Sequence, residues 1–426
     1  MRPPTRPPGI RGLVPSLVSA LAVVAVTTSC AAPQVAAPSG GSTSGAAGLS
    51  WAQVKEAARG QTVSLWMWGG DPKGNAYVDT VLTPAAAASG VTLRRVPVSD
   101  TKDALNRVLS ERQAGVTDGK IDLVWVNGDN FSTGQQAGAW RCGWSESLPN
   151  MRYTDPKDPL LVNDFGAPVR GCESPWHKAQ FTLVYDSAKV PDPPTSLAGV
   201  LEWAAAHPGR FTYPAPPDFT GSVFVRQVLY STAGGYANVP ATYDKAAFDR
   251  LTPALWKTLT DLRPSLWRQG STYPRDSVAL DKLYADGEVD MTMTYGPATL
   301  TDLVAKGTFP RTTRVLTLDE GTVGNASFLA IPASSPHQEA AMVVADLALS
   351  PAQQATKADP ATWGQFTVLD TSRLSAGDAD VFAALPASPV VPPYPVISKN
   401  ANPELSAAWV APLDEGWRRA VLSASP

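Results

Sequence analysis

The residues Ile121-Asp122-Leu123-Val124-Trp125-Val126 form a short, nearly continuous apolar run, and Asn127-Gly128-Asp129-Asn130 ends it in a polar turn. A run of that kind predicts a parallel strand buried on both faces, which commits the chain to an α/β arrangement with helices covering a sheet. Thr62-Val63-Ser64-Leu65-Trp66-Met67-Trp68 has the same form and ends in Gly69-Gly70-Asp71-Pro72. Between the two lie a helical stretch from Asn75 to Ala88 that restarts at Pro84, a strand over Val91 to Val98, and a helix capped by Ser99-Asp100 with Ala104, Leu105, Val108 and Leu109 on one face. Strand, helix, strand, helix, strand at this spacing predicts a doubly wound parallel sheet. Ligands of such sheets sit outside the carboxyl ends of the strands, so Trp68, Gly70, Asp71, Ser99, Asp100, Asn127, Asp129 and Asn130 are candidate ligand contacts. Asp100 has a plainer reading as a helix cap, and a strand Trp is more often core than ligand wall. Position favours Trp68, nearest its loop, over Trp66 and Trp125.

A chain of 426 residues that is 44% hydrophobic can bury a large core and should divide into about two domains. A net charge of −3 provides no basic footprint and argues against nucleic acid as a partner. At the N-terminus, Arg2, Arg6 and Arg11 precede an apolar segment, Leu13 to Val26, that is too short to span a bilayer and suits an export signal. It runs into Thr27-Thr28-Ser29-Cys30-Ala31, which resembles the lipobox of bacterial lipoproteins but has Thr27 where that pattern prefers Leu. Residues 1–29 are thus expected to be a signal peptide and Cys30 a lipidation site, with ordinary cleavage as the alternative. Residues 30–49, almost wholly Ala, Pro, Gly, Ser and Thr, read as a flexible tether. Cys142 and Cys172 remain as an even pair in an exported chain, so a disulfide is expected over two buried free thiols. Closing a loop of roughly 30 residues stabilises a fold by about 3 to 4 kcal/mol in the chain-entropy description.

Further along, Phe181-Thr182-Leu183-Val184-Tyr185-Asp186-Ser187-Ala188-Lys189-Val190 leads to Pro193-Pro194-Thr195-Ser196 and a helix around Leu197 to Ala206 bearing Trp203. Leu283-Tyr284-Ala285-Asp286-Gly287-Glu288-Val289-Asp290-Met291 leads to Tyr295-Gly296-Pro297-Ala298. Phe328-Leu329-Ala330-Ile331-Pro332, Glu339-Ala340-Ala341 to Leu349, and Ser350-Pro351-Ala352-Gln353-Gln354 follow. In this order the stretches resemble the extracellular solute-binding proteins of ABC importers, which have the type II periplasmic-binding-protein fold, and the resemblance covers nearly all of the chain after Ser50. Trp66-Met67-Trp68-Gly69-Gly70 with Asp129-Asn130-Phe131 most resembles an importer subgroup near the thiamine, polyamine and iron binders.

The resemblance implies two α/β lobes with a ligand cleft between them: 50–180 with about 328–365, and 181–327 with about 366–426, the C-terminal helices between about Asn402 and Ala420 included. It implies a monomer, lipid-anchored on the extracytoplasmic face of the cell membrane, that captures a small solute and delivers it to an ABC transporter permease, with no cofactor, no metal and no chemistry on the ligand. It places contacts from across the cleft at Asp218, Phe219 and Thr220; Tyr295, which follows the strand Val289 to Thr294, reads as an aromatic wall closing the cleft, and Asn325 and Ser327, ahead of the return crossing, are the weakest candidates. Iron-binding relatives carry a tandem Tyr pair that this chain lacks, which argues against free iron.

The loops hold Asp71, Asp100, Asp129 and Asp218 against Lys73 and Lys102, and Trp68 and Tyr295 supply aromatic faces. Carboxylates with ring quadrupoles point to a small organic cation, thiamine-like or a polyamine. A sugar held by stacking and Asp or Asn hydrogen bonds is the alternative, and solvated surface carboxylates are the plain reading of the acids. An exported hydrolase is a lower alternative, because His177, His207 and His337 lie far apart in sequence and no His-Glu-x-x-His, Cys-x-x-Cys or Gly-x-Ser-x-Gly occurs. Gly221-Ser222 before the apolar helix Val223 to Leu229 reads either as an anion-binding helix N-terminus or as ordinary capping.

Overall fold

The computed structural model describes residues 48–423; the signal segment, Cys30 and the tether up to residue 47 lie outside them. Thr62–Trp68 (β1) pairs in parallel with Thr92–Val98 (β2) on one side and Leu123–Val126 (β3) on the other. Its side chains alternate, with Val63, Leu65 and Met67 fully buried, so the strand fixes one face of the sheet by its period of two. A short hairpin of Asn163–Asp164 (β4) and Ala167–Pro168 (β5) follows, then Glu173–Gln180 (β6) and Thr182–Asp186 (β7). Strand β7 is the centre of a second, antiparallel sheet with Met291–Thr294 (β8) and Thr313–Leu316 (β9) on its two sides. Val323–Ala330 (β10) then returns to the first sheet, antiparallel to both β3 and β6, and Asn402–Pro403 (β11) pairs with its start.

The first sheet is therefore mixed, in the order β11-β10-β3-β1-β2 with β6 also on β10. Its parallel part is the one that the apolar runs predict. The antiparallel centre exists because the chain leaves for the second sheet and comes back. At the crossing, the Phe181 N–H donates to the Val323 carbonyl at 2.8 Å and the Gln180 side chain donates to the Thr322 carbonyl at 2.7 Å, so outgoing and returning segments are bonded side by side.

The helix after β1 runs as Pro72–Tyr77, a π turn over Val78–Leu82, and Thr83–Ala88. The irregular turn lies just ahead of Pro84, which has no N–H to continue the ladder. The helix Thr101–Gln113 buries Ala104, Leu105 and Val108, with Leu109 packed partly behind them. One face of the first sheet packs against the helix Gln338–Leu349 through Leu65, Trp176, Met342 and Val344, and the other against Leu105, Val108 and Phe131. A separate core joins Leu183 and Val184 of the second sheet to the helices Phe219–Thr232 and Ala407–Trp417, so the C-terminal helix belongs with it. The stretch from 366 to 397 is shared: Phe366, Val390 and Val391 pack on this second core, whereas Val368, Leu369 and Phe382 pack on the first. A disulfide links Cys142 to Cys172.

Candidate functional site

Three helices begin where the two lobes face one another: Thr101–Gln113 after β2, Gly128–Gln136 after β3, and Phe219–Thr232 in the second lobe. Strand β1 delivers Trp68 to the same place. Trp68 and Phe219 are 44% and 45% exposed, unusual for such large rings, and both line one cavity of about 400 Å³ with Ser99, Asp100, Thr101, Trp125, Asn127 and Asn130. A second cavity of about 500 Å³ shares Asn127, Asn130 and Phe219 with it and adds Gly128, Asp129, Lys102, Phe165, Pro217 and residues of the C-terminal helix. Phe219 thus stands between two halves of one interlobe space. Its ring meets Tyr295 edge-on at 5.1 Å and Phe165 of the first lobe at 6.3 Å.

The polar groups around this space divide into engaged and free. Asp100 caps its helix by accepting from the Lys102 N–H at 2.8 Å, and Ser99 Oγ donates to Asp103 at 3.1 Å. Asn127 stands at the cap position of Gly128–Gln136 but makes no cap hydrogen bond. Among the described residues, the side chains of Asn127, Asp129 and Asn130 have no hydrogen-bond or ion-pair partner, which leaves them available to a ligand. Gly128, in the left-handed region at φ 61°, points its N–H at both oxygens of the buried Asp164 at 2.8 Å. Burial pushes the Asp164 carboxyl well above its ordinary pKa, against the opposing Gly128 hydrogen bond.

The sequence-predicted contacts do not all converge. Asp71 caps the helix Pro72–Tyr77 by accepting from the Lys73 and Gly74 N–H groups at 3.0 and 3.1 Å, and its other oxygen accepts from the indole of buried Trp363 at 2.7 Å. It lines neither cavity. Gly70 acts through space: a Cβ there would run into the Trp68 ring, so the glycine lets the indole lie across the loop. Asp218 caps Phe219–Thr232 through the Gly221 N–H at 2.9 Å, and burial raises its pKa against that bond. Gly221 is thus part of an ordinary cap. Thr220 is buried beneath the wall, and Tyr295 backs Phe219 with its hydroxyl donating to Glu404 at 3.0 Å.

Arg226, Glu404 and Asp414, which have no legible signal in the sequence, complete the second lobe's wall together with Ser222 of the helix start. Arg226 and Glu404 form a fully buried pair at 2.8 Å; Arg226 also donates to Ser222, which donates to Asp414 at 2.6 Å. Burial opposes the Arg226 charge, yet Glu404 outweighs it and its pKa lies above the ordinary value. Ser222, Arg226 and Asp414 line the larger cavity, and only the folded neighbourhood brings them together. Behind Trp125, the rings of Trp176, His177 and Trp363 pack edge-on or tilted at 5.2 to 6.1 Å. His207 stacks on Trp203, and His337 bonds Asp122, so each histidine has its own place in the packing. Among the described residues, no group of three His, Cys, Asp or Glu side chains is placed to hold a metal ion, and no helix is long and apolar enough to cross a membrane.

Residues 80–389, more than half of the chain, match the family described as bacterial extracellular solute-binding protein. The chain belongs to this family. The solute-binding protein is 38% identical over 368 residues to the YnjB protein of Escherichia coli strain K12, covering 86% of this chain and 92% of that one. In structure it is similar to an ABC transporter from Clostridium perfringens ATCC 13124 (TM-score 0.61, 17% identity, 84% of this chain and 98% of that one). It is also similar to a periplasmic thiamin binding protein (TM-score 0.55, 17% identity, 85% and 96%). At those identities the likeness shows the fold, which is the two-lobed periplasmic-binding-protein fold of ABC importer solute receptors.

Proposed function

We propose that this solute-binding protein captures a small planar organic cation between Trp68 and Phe219 and delivers it to an ABC importer permease. The observation that carries the reading is the pair of exposed aromatic rings, one from each lobe, on a single cavity. A ligand held between them contacts both lobes at once, which an open form cannot offer, so binding favours closure. Among the described residues Asp129 has no protein partner and Asp100 keeps one oxygen free of hydrogen bonds, against Lys102 on the larger cavity, where the second cation, Arg226, is paired with Glu404. Asp71 and Asp218, engaged as caps, contribute less to that balance than their positions in the sequence imply. A thiamine-like ring system fits this arrangement better than a linear polyamine, because two exposed aromatic rings on one cavity favour a flat molecule.

A sugar is the second reading, favoured by the free amides of Asn127 and Asn130, which suit hydroxyl groups. The reading also includes a lipid anchor at Cys30, a monomeric receptor and no turnover of the ligand. The test is native mass spectrometry of the purified protein, followed by calorimetry with thiamine, spermidine and glucose. Trp68→Ala should weaken a bound cation by about 0.5 to 2 kcal/mol. A neutral or anionic natural ligand, or unchanged affinity in Trp68→Ala, removes the cation reading.

A further inference from the structure

Lys73 lies on the helix Pro72–Tyr77 of the first lobe, whose start is fixed by Asp71 and, through Asp71, by Trp363. Asp302 lies on the helix Leu300–Ala305, which is anchored in the second lobe's core through Leu300, Leu303 and Val304. The two side chains meet at 3.0 Å, and the Lys73 ammonium also donates to the Pro360 carbonyl of the first lobe at 2.6 Å. Neither residue lines the two cavities around Phe219. We infer that the Lys73–Asp302 pair is a clasp that holds the lobes together before any ligand arrives.

The geometry separates this contact from an incidental surface pair. Lys73 and Asp302 are only 20% and 31% exposed, and the carbonyl bond holds the ammonium in place, so less side-chain entropy is lost in making the pair and water screens it less. The other cation near Asp302 is Lys306, four residues along the same helix, 73% exposed and 3.7 Å away; it cannot join the lobes. The aromatic contact of Phe165 with Phe219 crosses the same gap from within the ligand space, where an incoming ligand competes with it. The clasp has no such competitor. It raises the closed fraction of the empty protein, and apparent affinity then follows that fraction whatever the ligand is.

The experiment is small-angle scattering from the ligand-free protein and from Lys73→Met, Asp302→Asn, the double variant and Lys306→Met. Each single change at the clasp should lower the closed fraction about two- to fivefold, read as a larger radius of gyration. The double variant should expand no further than either single one, because both remove the same interaction. Lys306→Met should scatter like the wild type. Thermal melts check that each variant is folded; if Lys73→Met is not, Lys73→Arg, which keeps the charge and should scatter like the wild type, is set against Asp302→Asn, and unchanged scattering in Asp302→Asn alone then overturns the clasp. Unchanged scattering in both single variants, additive expansion in the double variant, or equal expansion in Lys306→Met would overturn the clasp. None of these outcomes depends on the identity of the solute, so the ligand reading stands or falls separately.

Discussion

The loops after β1 and β3 look alike in sequence and do opposite work. Each follows an apolar, Trp-bearing strand, and each offers glycine and aspartate. In the first, Asp71 directly precedes Pro72 and so occupies the cap position, where its carboxylate serves two N–H groups and the Trp363 indole. In the second, Gly128 opens the helix, Asn127 holds the cap position without bonding, and Asp129 falls one place past the start with nothing to accept. A shift of two positions relative to the helix start turns a carboxylate from a brace into a group with no partner among the described residues. The first loop gives its ring, Trp68, to the cleft; the second gives its polar groups.

The sharpest way to break this comparison is Asp71→Ala. Loss of the cap and an orphaned, fully buried Trp363 N–H should together cost about 2 to 4 kcal/mol, seen as a lower denaturation midpoint. A midpoint equal to the wild type's would mean that Asp71 is no brace. Gly70→Ala should move Trp68 off the loop, altering its fluorescence emission and weakening a stacked cation by about 1 to 2 kcal/mol. Asp129→Asn separates the two loops most cleanly: stability should stay within about 0.5 kcal/mol, while binding of a cationic solute weakens measurably in calorimetry. Equal loss of stability in Asp71→Ala and Asp129→Asn would erase the distinction. The smallest effect belongs to Asn127→Ala, expected within about 0.5 kcal/mol of wild-type stability because no cap bond is lost.

The parallel part of the first sheet was legible because its strands are apolar runs ended by turn residues; β1 spans Thr62–Trp68, the stretch that its pattern marks. Strand β6 was not. Its residues Glu173-Ser174-Pro175-Trp176-His177-Lys178-Ala179-Gln180 show no alternation, yet most are buried because the strand lies against β10 in the middle of the molecule. Burial there is imposed by the crossing between lobes, which no local window contains. The cleft was partly legible for a related reason. Trp68, Asn127, Asp129, Asn130 and Phe219 stand at element ends and reach the cavities, but Asp71 and Asp218 stand there as well and are taken by helix starts. Phe165, from a two-strand hairpin with no distinctive pattern, and the Arg226–Glu404 pair, 178 residues apart, depend on tertiary neighbours alone.

The place of β10 in the sheet has a consequence for the order in which the chain becomes a protein. It hydrogen-bonds β3 and β6, yet it is encoded at Val323–Ala330, long after both. At about 5 to 20 residues per second of synthesis, β3 waits roughly 10 to 40 seconds for the strand that completes its pairing. Until then the N-terminal half is an open-edged sheet, slow to settle because its last contacts are so distant along the chain. A nascent chain in that state is held back from folding by its own topology, and any factor that must thread it through a membrane meets it while it can still be unravelled.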